Sequence, residues 1–342
     1  MILTRSPYYI SAPVTLGTTT AVTLNLKVQT GTADNSLSNL DYTITKNRPQ
    51  AGTTYLDFEI SNMLRDKFEY VPPFSPTFGI LNSDPANILS LNYSLDYIGS
   101  AGDTQVFQQL VLDGYGYFQE RINPDIPDNK ILLANDYYYV NANGFFCIPF
   151  INDGTYSNVI VDGTPYSQTP STNITSKLKY VWFNLNQFND TVIVQIGGNT
   201  ITLQKQEECK HTPVDVIFHN KYGAWEIFTF YKTKKESVSI TKESFKNNFV
   251  KNGNYDEFKH TYQDYNKNGR ESLKLSSGFL PESYNETVRQ LLLSEHVFLV
   301  NGGNPIPVNV ETSSYSWKSR IIDKLINHEI EFKYSFDLIN NI

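Results

Sequence analysis

Sulfur is scarce in this sequence: 342 residues carry two cysteines and two methionines. Cys147 and Cys209 are too few for a disulfide framework, and neither has a neighbour at metal-ligand spacing. A bond between them stays open; two free thiols made in a reducing cytoplasm are the expectation. Long apolar runs are missing too, and no stretch approaches the roughly 20 residues that a bilayer-spanning helix needs. The opening Met1-Ile-Leu-Thr-Arg-Ser-Pro7 lacks the charged lead and apolar core of a signal peptide. Basic charge is in deficit, with 28 Lys and Arg against 35 Asp and Glu and a net charge of −7. Such a surface repels phosphate backbones, so general nucleic-acid binding is not expected.

Catalytic signatures are absent as well. There is no G-x-S-x-G, no H-E-x-x-H and no phosphate-cradling G-x-x-x-x-G-K. The five histidines, His211, His219, His260, His296 and His328, form no close pair in sequence, and each reads as a strand or surface residue. Asp264-Tyr-Asn-Lys-Asn-Gly269 copies the start of a calcium loop, but the closing carboxylate position is occupied by Leu275. A plain Asn-rich turn is the expectation there. Two acid pairs, Asp57 with Glu59 and Glu329 with Glu331, sit at alternate strand positions about 7 Å apart, which superficially suits glycoside chemistry. The same spacing arises on the polar outer face of any half-buried strand, and that reading is preferred. No catalytic, cofactor-binding or metal-ligating residue is assigned.

What the chain has in abundance is aromatic: 23 Tyr and 21 Phe, with aromatic residues reaching 14%. Tyr, Phe, Thr and Val favour half-buried pleated surfaces, while Asn, Asp, Gly and Pro supply turns. Tyr also suits interfaces, since its ring buries apolar area while its hydroxyl finds a partner. Tyr137-Tyr-Tyr139 with Phe145-Phe146 could form a sugar-stacking platform. Alternation on a strand sends neighbours to opposite faces, however, so core or interface packing is preferred.

The expected fold is mostly β: tandem antiparallel β-sandwich-like domains with one or two short helices. A first β-sandwich-like segment covers 1–75, with alternating strands at Val22–Val28, Leu40–Thr45 and Thr54–Ile60. Ile60, Leu64 and Phe68, four apart, predict a short helix over Ser61–Phe68. A middle β region covers 76–205, packed with the first. It holds a strand at Ile88–Ile98, a turn at Ser100–Asp103, and hairpin-type dipeptides at Asp113-Gly114 and Asn143-Gly144. A long exposed loop is expected at Asn152–Thr175, then a hairpin of Thr191–Ile196 and Thr200–Leu203. A C-terminal β domain covers 206–342. It opens with Val214–His219, a turn at Asn220–Gly223 and a strand from Ala224 to Tyr231. A hydrophilic stretch from Thr241 to Arg270 is expected to be a loop that orders only against a partner. An amphipathic helix at about 283–294 begins with the capping-box form Ser283-Tyr-Asn-Glu286 and lines one face with Tyr284, Val288, Leu291 and Leu292. Strands at His296–Val300, Pro307–Glu311 and His328–Phe336 complete the segment.

Several short patterns carry a resemblance. Arg5-Ser-Pro-Tyr-Tyr-Ile10, Phe58-Glu-Ile-Ser61 and Leu64-Arg-Asp66 open the chain. Phe218-His-Asn-Lys-Tyr-Gly-Ala-Trp225 and Phe228-Thr-Phe-Tyr-Lys232 follow. Leu291-Leu-Leu-Ser294, Ile306-Pro-Val308, Asp323-Lys-Leu-Ile326 and Glu329-Ile-Glu-Phe332 come after them in order. Together these resemble a tail-protein family in phages of Bacteroidetes, including crAss-like podoviruses; the middle of the chain is less similar. The resemblance implies a non-enzymatic virion component without a cofactor, of tail-hub or adaptor-ring type. Such a subunit would form a homo-oligomeric ring, touch other tail or neck proteins and fibres, insert in no membrane and assemble in the host bacterial cytoplasm. The alternative is a carbohydrate-binding receptor-recognition protein at the distal tail.

Overall fold

The computed structural model describes residues 1–14, 18–30, 36–49, 52–99, 107–126, 131–152, 158–167, 176–248, 250–301, 304–316 and 325–340. It is mostly β, 54% strand against 8% helix, arranged in several sheets as the sequence predicts.

The N-terminal sandwich is built from β1 (Ile2–Leu3), β2 (Tyr9–Pro13), β3 (Ala21–Thr30), β4 (Tyr42–Asn47) and β5 (Tyr55–Glu59), with helix α1 (Ser61–Arg65). Next come β6 (Gly79–Asn82), β7 (Leu89–Ile98) and β8 (Phe107–Leu112). The main sheet runs β1-β8-β7-β3-β4, and β2 and β5 form a separate pair. Along β3, Val22, Leu24 and Leu26 are buried. Thr23 and Asn25 point the other way, to Thr45 and Asp96 at 2.9 and 2.6 Å. The period of two thus sorts apolar from polar residues by face. This sheet does not close at residue 75. Its centre is the ten-residue β3–β7 ladder, and the core joins Leu24 and Phe58 to Leu89, Leu91 and Val111.

The middle strands are β9 (Tyr137–Asn141), β10 (Phe145–Ile151), β11 (Asn158–Val161), β12 (Thr164–Ser167), β13 (Leu178–Asn184), β14 (Thr191–Ile196) and β15 (Asn199–Gln206). They form the sheets β10-β13-β6 and β12-β11-β14-β15-β9. The β14–β15 hairpin turns on Gly197 and Gly198, both with positive φ, 53° and 85°. Two left-handed residues are what a two-residue turn needs to match strand twist. Part of the expected loop 152–175 is a hairpin instead: β11 and β12 pair through Asp162-Gly163, and Val159 and Val161 are buried. The rest of that loop, and the expected turn at 100–103, lie outside the described residues. Asn143-Gly144 joins β9 to β10, but these strands belong to different sheets, so the dipeptide makes a corner rather than a hairpin.

The C-terminal strands are β16 (Val214–His219), β17 (Trp225–Phe230), β18 (Lys234–Lys246), β19 (Val250–Lys251), β20 (Asn254–Tyr255) and β21 (Tyr262–Pro281). Helix α2 (Tyr284–Leu292), β22 (Val297–Asn301), β23 (Asn304–Val310) and β24 (Leu325–Tyr334) follow. One seven-stranded sheet runs β17-β16-β22-β23-β24-β21-β18. Asp323 and Lys324 of the resemblance lie outside the described residues. Tyr284, Val288 and Leu291 are buried on α2, with Thr287 and Gln290 beside them. Ser283 does not cap the helix: its backbone is already helical and its side chain makes no capping bond. Glu286 accepts from the Tyr117 hydroxyl at 2.8 Å and from Gln290 Nε2 at 3.0 Å instead.

A second core runs without a break from Leu3 and Ile88 through Trp182 and Trp225 to Ile330 and Phe332. The two cores therefore divide the chain differently from the three expected segments.

Candidate functional site

The element that departs furthest from the packed body is the stretch expected as a loop. Residues 234–248 and 250–275 form a long β-hairpin arm, β18 against β21, with twelve paired positions from Lys234↔Leu275 to Lys246↔Tyr262. All thirteen residues of β18 are exposed. At the tip, β19 and β20 pair across Asn252 and Gly253, whose φ values of 53° and 76° make the turn. The arm grows out of the seven-stranded sheet because the root of β21 also pairs with β24, from Ser272↔Lys333 to Pro281↔Leu325. Its far part is held to itself by Lys242 and Lys267 on Asp264, each at 2.9 Å, and by Asn247 Nδ2 donating to Gln263 at 3.1 Å.

The faces of the arm can be followed by register. Lys234, Glu236, Val238 and Ile240 lie opposite Leu275, Leu273, Glu271 and Gly269, so Val238 and Ile240 extend the face that buries Leu273 and Leu275. They have left the core, at 50% and 67% exposure. A bulge then shifts the register between Thr241 and Glu243. Strand alternation puts Phe245 on the opposite face, where its ring meets Tyr265 edge-on at 5.5 Å. Tyr255 and Phe258 near the tip are exposed, Phe258 almost completely. A two-stranded ribbon is marginal alone in water, and this one carries apolar groups on both faces.

A tyrosine-walled groove of about 480 Å³ lies on the N-terminal sandwich, lined by Tyr8, Tyr9, Tyr93, Leu95, Tyr97 and Phe107. Tyr93 and Phe107 stack at 4.8 Å, and burial pushes the Tyr93 phenol up to about 12. The groove has strand edges for walls. Among the described residues β2 pairs only with β5, and β8 meets β1 only at Val111 and Leu112.

The body is locked together by buried polar groups that sequence reasoning did not single out. The Asp113 carboxylate, 1% exposed, accepts from Thr4 Oγ1 at 2.7 Å and the Tyr70 hydroxyl at 2.9 Å, and Arg65 Nε lies 3.3 Å away. Tyr70 stacks on His296 at 3.4 Å and meets His219 edge-on. Burial lowers His219 to about 4. Asp113-Gly114 is thus no hairpin. Gly114 packs so tightly on Lys221–Gly223 that a Cβ there would sit 2.6 Å from the Lys221 oxygen. In the turn itself, Asn220 Oδ1 accepts from the Tyr222 and Ala224 amides, and its Nδ2 donates to Glu226 at 3.0 Å. Glu226 also accepts from the Tyr138 hydroxyl at 3.0 Å, and burial raises it to about 7. Asp215, bonded by Thr229 and Asn141, is raised by burial to about 6. The Phe218–Trp225 pattern therefore forms the joint between the two ends of the chain.

The residues weighed for chemistry are scattered. Asp264–Gly269 is neither a calcium loop nor an Asn-rich turn: it lies in β21, and two lysines hold Asp264. Asp57 accepts from Ser11 Oγ at 2.5 Å, and Glu59 accepts from the Ser61 amide at 2.9 Å. Glu329 and Glu331 line a separate cavity of about 470 Å³ with Glu311 and Tyr315, and Lys274 sits 2.8 Å from Glu329. His219 and His296 come together in space, with ring centroids 6.4 Å apart and edge-on, while His328 bonds to the Tyr315 hydroxyl. Among the described residues no group of three or more His, Cys, Asp or Glu is placed to hold a metal. Tyr138 and Phe146 are core, whereas Tyr137 is 39% exposed. Cys147 is buried and Cys209 exposed, and both are free. No helix among the described residues is long and apolar enough to cross a membrane. Comparison with known protein families, curated proteins and solved structures found no match to this chain.

Proposed function

We propose that this chain is a non-enzymatic structural subunit of a bacteriophage tail, of hub or adaptor-ring type. It oligomerises and links the tail barrel to fibres or other tail proteins. The observation that carries this reading is the arm, a thirteen-residue exposed strand bearing Val238, Ile240 and Phe245, which stay exposed although Asp337, Leu338 and Ile339 lie against β21 at Asn268, Gly269 and Arg270. A long uncovered strand edge is a template for pairing with another chain. The tail assignment rests on the sequence resemblance at both ends of the chain. The virion, after assembly in the host cytoplasm, is the place this reading gives it, without general nucleic-acid binding or membrane insertion.

The test is to determine copy number in purified particles together with mass in solution. The proposal expects several copies per particle and a multimer at high protein concentration. A chain absent from particles and monomeric at every concentration would overturn it.

A further inference from the structure

We propose that the arm of one subunit inserts into the tyrosine-walled groove of a second copy, so that assembly runs head to tail. This rests on the self-assembling reading above and names the two surfaces that meet. Four observations support it. First, the groove is shaped for a β ribbon. The open side of β2 and the free Phe107–Leu110 edge of β8 offer backbone groups, and the rings between them offer an apolar floor. Strand addition to such an edge takes its affinity from main-chain hydrogen bonds and its specificity from side-chain pockets.

Second, the arm supplies what the groove lacks. It is a ribbon whose β18 edge is open, with apolar groups on both faces, the form that suits insertion between two walls. Third, the arm does not fill its own groove. Ile240 and Phe258 are 67% and 97% exposed in the same chain that leaves Tyr9 and Phe107 at 46% and 37%. Fourth, the charges are complementary. Residues 234–274 hold nine Lys and Arg against six Asp and Glu, a net of +3, and the chain's −7 leaves −10 on the rest. The groove has an acid beside it: Asp57 accepts from the lining Ser11, and burial, with a smaller contribution from Asp125, raises the Tyr8 phenol. The cavity beside Glu329 offers Phe258 or Tyr255 one aromatic ring, Tyr315, among mostly Ser, Thr and Glu, whereas the groove offers five rings. Because arm and groove are different patches, the contact is heterologous; if the rotation closes it makes a ring, and if not a filament.

The experiment compares the full chain with an arm variant, Ile240→Lys with Phe245→Lys, and a groove variant, Tyr9→Lys. All three altered side chains are exposed, so unchanged melting temperatures check the fold. Masses are read by sedimentation across protein concentration. Each variant alone should associate at least ~10-fold more weakly than the parent, the loss of a single interface anchor. An equimolar mixture of the two variants should form a discrete 1:1 dimer, since one intact groove meets one intact arm. A parent that oligomerises while both variants match it overturns the arm–groove contact and leaves the self-assembling reading standing. A parent that stays monomeric overturns both. Saturable binding of a bacterial surface oligosaccharide that Tyr9→Lys abolishes, with the parent's mass unaffected by either variant, would assign the groove to carbohydrate and overturn the proposal.

Discussion

Two long antiparallel ladders in this protein differ in what covers them. The β3–β7 ladder pairs ten residues on each strand and buries Val22, Leu24, Leu26 and Leu91 beneath the β2–β5 pair. The β18–β21 ladder pairs twelve positions, yet all of β18 stands in water. Backbone pairing is extensive in both, with one bulge after Thr241 in the second, so the ladder is not what separates them. A hydrogen bond exchanged with water contributes only about 1 kcal/mol net, whereas a buried Leu or Phe contributes about 2 kcal/mol or more. The first ladder is stable through its own chain. The second carries Val238, Ile240 and Phe245 among lysines, glutamates and serines, and leaves all three exposed.

The sharpest contrast should come from truncating one apolar side chain in each setting. Phe332→Ala in the core should cost about 4 kcal/mol in denaturant unfolding, through lost burial and the cavity left behind. Ile240→Ala on the arm should change unfolding of the monomer by less than ~0.5 kcal/mol. Equal losses at the two sites would break the comparison.

Buried and exposed carboxylates sharpen it further. Burial raises Glu226 from 4.5 to about 7, so the folded protein holds a proton that the unfolded chain releases over that range. The stability from this source is complete below pH 4.5 and is lost as pH rises through about 7. Asp215, raised from 3.8 to about 6, acts in the same direction. His219, lowered from 6.5 to about 4, acts in the opposite one, its contribution being lost as pH falls through that window. Glu226→Gln removes the first contribution alone. Relative to the parent, the variant should therefore gain of order 3 kcal/mol between acid pH and about pH 8, read by urea unfolding. A difference that stays flat with pH would contradict the assignment.

A smaller effect is expected at the Asp113 joint. Asp113→Asn keeps the shape but removes the charge beside Arg65 and weakens the acceptor for Thr4 and Tyr70, for about 2 kcal/mol. The matching change on the arm, Asp264→Asn, breaks two surface ion pairs and should cost no more than ~0.5 kcal/mol. If the arm variant cost as much as the joint variant in the monomer, the arm would not be the loosely held element described.

What the sequence made legible was local. The alternation of Val22–Val28 and the Gly-Gly turn before Asn199 identify strands and a hairpin, because the period of two and the turn geometry act over a few residues. Partnerships were not legible, since nothing in β3 announces that it pairs with β7 rather than closing a sheet before residue 75. The arm's composition predicts a loop as readily as a strand, because Lys, Asn and Asp suit any solvated surface. Two signals were present: Asn252-Gly253 at its centre, and Asp162-Gly163 in the expected 152–175 loop, each a hairpin dipeptide with positive φ at both residues. Ser283 and Glu286 had the form of a capping box, but the Tyr117 hydroxyl, far away in sequence, takes Glu286 instead. Asp113-Gly114 and His219 stand out singly in the sequence, but nothing there joins them to Tyr70, because three distant segments build the joint.

Hydrogen exchange of the arm amides against protein concentration tests the central claim most directly. If a second copy covers β18, peptides spanning 234–246 should exchange rapidly in the dilute monomer and become protected as the chain associates, in step with the β2 and β8 edges. Rapid exchange in the arm at every concentration, while the mass of the particle rises, would contradict it.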